Sequence, residues 1–167
     1  MDQSAVDRLS DRSVLLSLQE LAETVGHDVG EIAPDEQEAA DLLAALLAST
    51  GLPPAPATAL REEGAAVEAG RRLLGQALRD PDTGAPAAEI LADPPGDDQM
   101  SVELAVAAAV VLGALVAWLQ TKIDIKVSRK DGKTEFEFRA TKAATQPALL
   151  RQLAETVATI LNPPPGP

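Results

Sequence analysis

The chain has 167 residues and a charge of −12 at neutral pH, and its acidic half is expected to be repelled by nucleic acid and anionic lipid. It holds no Cys and a single His, which excludes disulfides, thiolate nucleophiles and cysteine-ligated metals. Hydrophobic residues make up 46 % of it, enough for a core, but one built of Ala, Leu and Val, with Trp118, Phe136 and Phe138 as the only aromatics.

The charge is divided unevenly. Residues 1–100 carry 20 acidic side chains against 6 basic ones, and residues 101–167 carry 6 acidic against 8 basic. Every Lys (Lys122, Lys126, Lys130, Lys133, Lys142) lies in the second part. Such a split predicts two units with different surfaces. Because Ala buries little area, each helix contact is thin, and a partner or self-association is expected to add stability. The N-terminus has neither a basic region nor an apolar stretch, so no signal peptide is expected.

Residues 6–25 read as a helix, with Leu9, Val14, Leu18, Leu21 and Val25 on one broad stripe and Gly26 where a terminating glycine belongs. His27 then falls in the following loop. Asp35 is placed as the cap of a second helix, with Glu36 and Glu38 favourable near its N-terminus. Its stripe is Ala39, Leu42, Leu43, Leu46 and Leu47, and Gly51 ends it. After the break at Leu52-Pro53-Pro54, a third helix is expected from Thr58 to about Leu78. Gly64, Gly70 and Gly75 either weaken it, at about 1 kcal/mol each against Ala, or admit a close neighbour. Residues 80–84 read as a turn, 87–91 as a short helix, and 93–98 as a stiff polar linker.

Residues 104–119 contain no charge and no polar side chain. A helix apolar all round is either buried in protein or in a membrane, and this run is short of the roughly 20 residues that a span needs. Ala105, Ala109, Gly113 and Ala117 recur every four residues and form a small-residue face suited to close packing or to an interface.

A β-hairpin follows. Asp131-Gly132 between alternating strands is a strong hairpin signal, because a type I′ turn needs positive φ at both central residues. It sets Val127 opposite Phe136, Ile125 opposite Phe138 and Ile123 opposite Ala140, with Lys126 facing Glu137 and Asp124 facing Arg139 on the other side. The flanking helices are expected to cover the apolar side, since a lone two-stranded sheet is marginal in water. A last helix starts near Thr145, buries Leu150, Leu153, Ala154, Val157, Ile160 and Leu161, and stops at Asn162-Pro163. The expected fold is α+β: an N-terminal all-α helical bundle (1–93), a linker (94–100), a C-terminal α-β-β-α unit (101–162) with a two-stranded antiparallel hairpin, and a Pro-rich tail (163–167).

The residues offer little chemistry. His27 has no convergent partners, the serines lack a nucleophile elbow, and no glycine-rich phosphate loop appears. Glu62-Glu63 reads as a solvated helix face and Asp97-Asp98 as linker. No catalytic, cofactor or metal residue is therefore assigned. The basic tip, Arg129, Lys130 and Lys133, is suited to an anionic contact, including this chain's own acidic half.

The uncharged helix ending in Trp118-Leu119, the basic strands around Lys130-Asp131-Gly132-Lys133 and the leucine-rich helix opened by Pro147-Ala148-Leu149-Leu150 resemble the effector-associated constant component proteins of bacterial conflict systems. These are short accessory chains that couple a sensor or adaptor to an effector. The resemblance covers about residues 101–161 and transfers no site residue. It implies a non-enzymatic component of an immunity system. The expectation is a cytoplasmic adaptor that binds protein partners, itself included, and not nucleic acid. The alternative is a membrane-associated accessory protein that inserts residues 104–119.

Overall fold

A computed structural model of the chain describes residues 3–29, 36–52, 63–94, 107–140 and 146–161. The fold is α+β, with helices α1 (Gln3–Asp7), α2 (Asp11–Val29), α3 (Glu36–Ser49), α4 (Glu63–Arg79), α5 (Gly84–Ala92) and α6 (Ala107–Gln120), strands β1 (Ile123–Lys130) and β2 (Lys133–Ala140), and helix α7 (Gln146–Leu161).

The first expected helix is two. Ser10 breaks it by capping α2, its Oγ accepting the Ser13 N–H at 3.1 Å, so Val6 lies in α1 and Val14 in α2. At the other end α2 runs through Gly26 to Val29, which corrects the expected stop. A glycine lowers helix propensity but ends a helix only where its φ turns positive, as Gly51 does at 79°. There the Leu52 N–H bonds the Leu47 carbonyl at 3.0 Å and the Gly51 N–H the Ala48 carbonyl at 3.1 Å, closing α3 in a Schellman turn. The cap at Asp35, the start at Thr58, the linker beyond Pro94 and the Pro-rich tail lie outside the described residues.

The hairpin has the register expected from its sequence, from Ile123–Ala140 to Lys130–Lys133. Its turn is type I′, with φ of 53° at Asp131 and 76° at Gly132.

The core is one cluster drawn from α1 through α7 and from Ile123. At its centre is α6, whose buried residues include Val111, Leu112, Leu115, Val116, Trp118 and Leu119. The hairpin shields α6 little; α2 lies along it, flanked by α4 and α3. Described residues of the acidic helices and of the C-terminal segment therefore share one apolar cluster. No described helix is long and apolar enough to cross a membrane, and inserting α6 into one would strip α2, α3 and α4 of their common partner. One close approach between helices in this core is at Gly70. A Cβ there would sit 2.9 Å from Leu18 Cδ1 and 3.1 Å from Val14 Cγ1 of α2, and 3.5 Å from Val111 Cγ2 of α6.

Val14, Leu18 and Val111 are fully buried, so a larger side chain at residue 70 presses on all three. Gly70→Val should therefore lower the unfolding free energy by about 2 kcal/mol, read from denaturant melts. At Gly64 a Cβ meets nothing within 4 Å, so Gly64→Ala should leave stability unchanged or raise it by up to about 1 kcal/mol. Equal effects at the two sites would contradict the three-helix junction.

Candidate functional site

The ribbon carries a row of exposed charges. Its alternation sends Asp124, Lys126, Ser128, Glu135 and Glu137 to solvent, while Ile125, Val127, Phe136 and Phe138 on the other face are half-buried, and Ile125, Phe136 and Phe138 pack on the core. α7 and α3 lie against β2 and hold that inner face. At the tip, Lys130 and Lys133 are exposed, and Arg129 forms an ion pair with Glu38 of α3. The Arg129 side chain is 64 % exposed, and pairs of that kind contribute about 0–1 kcal/mol. The packing of Phe136 and Phe138, and not this pair, therefore sets the ribbon's position.

The base of the ribbon is held differently. Lys122, one residue before β1, donates from Nζ to both Asp80 Oδ1 and Asp82 Oδ2 in the turn between α4 and α5. The Lys122 side chain is 13 % exposed and that of Asp80 6 %. The turn is prepared for this. Asp80 Oδ1 accepts the Asp82 N–H at 2.8 Å, the Asp80 carbonyl accepts the Gly84 N–H at 2.7 Å, and Thr83 Oγ1 donates to the Ala77 carbonyl at 2.9 Å. Two carboxylates thus converge on the single position from which Lys122 enters.

Two arginines of α4 tie down other elements. Arg71 donates to the Val6 and Leu9 carbonyls at 2.8 Å each and to Asp11 at 3.1 Å, clamping the α1–α2 turn. Arg72 Nε donates to the Ile160 carbonyl at 2.9 Å, one of the last-turn carbonyls of α7 that have no acceptor role within the helix. Burial pushes the Arg72 pKa down, and Glu68 opposes that shift; an arginine still remains cationic at neutral pH. Beside Arg72, α4 and α7 enclose an open groove of about 390 Å³, with Gln76 and Arg79 on one wall and Gln152, Thr156 and Thr159 on the other. None of these residues stood out in the sequence. Their one shared signal was a polar position on a helix side that hydrophobic periodicity leaves blank.

The small-residue face is divided. Ala117 is buried and Ala109 and Gly113 are half-exposed, a Cβ on Gly113 would meet nothing within 4 Å, and Ala105 lies outside the described residues. The intimate helix contact is made by Gly70 of α4 instead. His27 lies within α2 and not in a loop beyond it. Among the described residues, no three His, Asp or Glu side chains converge as a metal-ligand set. Three buried polar atoms, Ser17 Oγ, Trp118 Nε1 and Gln120 Oε1, have no partner among the described residues.

No known family model, no curated protein and no solved structure matches this chain.

Removing a lysine from a buried pair leaves carboxylates uncompensated, which costs far more than the intact pair contributes. Lys122→Met should destabilise the protein by about 3 kcal/mol. Adding Asp80→Asn, whose side-chain oxygen can still accept the Asp82 N–H, should restore part of that loss. Additive losses in the double variant would show that the two side chains do not interact.

Proposed function

We propose that this chain is a non-enzymatic adaptor that acts in the cytoplasm and couples protein partners within a bacterial conflict or immunity system. The observation that carries this reading is the ribbon. Strands of eight residues each carry exposed charges at alternate positions, and the ribbon's position is set by the buried Asp80–Lys122 contact at its base and by half-buried side chains on its inner face. A surface held in this way is preorganised for binding, because ordering it costs nothing further when a partner arrives. The likeness of residues 101–161 to effector-associated constant components supports the immune setting. The acidic helices supply a second surface of opposite sign to the ribbon tip, so one chain can engage two partners of different charge.

Co-expression of the tagged full-length chain with the products of its neighbouring genes tests the reading. At least one of those products should co-purify in fixed stoichiometry. The double variant Lys130→Glu/Lys133→Glu, altered at two exposed tip positions, should lose that product without loss of helicity. Recovery of the chain alone in every combination would contradict the proposal.

A further inference from the structure

The ribbon leaves the long edge of β1 without a neighbour among the described residues. In a two-residue type I′ hairpin the residues flanking the turn form a hydrogen-bonded pair, here Lys130 and Lys133. Antiparallel alternation then makes Ser128–Glu135, Lys126–Glu137 and Asp124–Arg139 the other bonded pairs. The N–H and C=O groups of Ile125, Val127 and Arg129 consequently point away from β2. No backbone hydrogen bond joins residues 124–130 to any described element other than β2. The edge is closed at one end, where Ile123 is 0 % exposed and Lys122 is held by Asp80 and Asp82. From Asp124 to Lys130 every residue is exposed or half-buried.

We infer that a second copy of this chain pairs on this edge, β1 against β1, antiparallel about a two-fold axis at Val127, so that two ribbons join as one four-stranded sheet. The charges along the edge select this register. Centring on Ile125 would set Val127 against the closed position Ile123. Centring on Lys126 sets lysine against lysine, and centring on Ser128 sets Lys126 against Lys130 twice. Centring on Val127 sets Asp124 against Lys130 of the second copy twice, and Lys126 against Ser128. Directly opposed charges of unlike sign attract and those of like sign repel. The lysines that keep foreign strands off this edge thus leave one self-complementary alignment. In it, Val127 meets Val127 on the half-buried inner face, and each basic tip lies beyond the base of the other strand, far from its own counterpart. A four-stranded sheet also relieves the marginal stability of a two-stranded one. The pairing concerns copies of the chain and holds or fails independently of the adaptor reading.

Sedimentation velocity on the full chain across a micromolar concentration series tests this inference. The parent chain should shift from monomer to dimer as concentration rises. Asp124→Lys and Lys130→Asp each place like charges at both opposed positions, and each should weaken the dimer by about tenfold or more. Mixed in equal amounts, the two variants regain complementary charges and should form a dimer containing one of each, identified by native mass spectrometry. Hydrogen exchange on the parent chain needs no variant, and the Ile125 and Val127 amides should become more protected as concentration rises. A parent monomeric throughout, variants that dimerise as tightly as the parent, a mixture that stays monomeric, or protection indifferent to concentration would each overturn the inference.

Discussion

Residues 107–120 form a helix with no charged side chain, and Gln120 is its one polar amide. Such a rod has no face to offer water, so it must be surrounded. The helices that surround it come from the acidic part of the chain. α2, α4 and α3 each present an apolar, leucine-bearing stripe inward, and Asp11, Glu20, Glu23, Asp41 and Glu68 lie exposed on the outside. This is why so acidic a segment folds compactly: its charge is spread over the outside of a layer whose inner surface is filled by α6. The scarcity of aromatics follows the same logic. With Ala and Gly along α4 the backbones approach closely, and Gly70 lies where α2, α4 and α6 meet.

Once α6 is fixed in the centre, the elements that follow it have little freedom. Two residues separate it from β1, and within that gap Lys122 reaches back to Asp80 and Asp82. The ribbon therefore leaves the core from a defined point. Its direction is set again at α3 and α7, which hold the inner face of β2. Among the described residues, polar contacts across the two parts of the chain include Lys122 on the α4–α5 turn, Arg129 on Glu38 and Arg72 on the end of α7. Their energetic roles differ. The exposed Arg129 pair adds little, whereas the Lys122 cluster acts chiefly as a constraint on position, because a buried charge without its partner is costly.

How much of this was legible in the sequence depended on range. The hairpin was readable to the residue, since strand periodicity and the Asp131-Gly132 turn are local signals that agree. So was the end of α3 at Gly51. The break before α2 was missed because Ser10 looks like any other serine until its hydroxyl is seen to accept the Ser13 N–H. Gly26 was misread because the glycine of a helix interior and that of a helix end are the same letter. The partner of α6 was not readable at all: an apolar stripe says that a face is buried, not against what. The Lys122 cluster joins residues 42 and 40 apart in sequence, and no pattern within a single helix or turn encodes it. The basic tip was legible as a surface, while the α4–α7 groove, being polar, left no periodic trace.

The claim on which this account rests is that the acidic helices and the C-terminal segment share one core centred on α6. The chain provides its own reporter, since Trp118 is the sole tryptophan and is 2 % exposed. Its fluorescence reads α6, whereas far-UV circular dichroism is dominated by the helices that precede it. Chemical denaturation followed by both signals should give superimposable single transitions. Two separated transitions, with helicity lost at one denaturant concentration and Trp118 exposed at another, would contradict a common core.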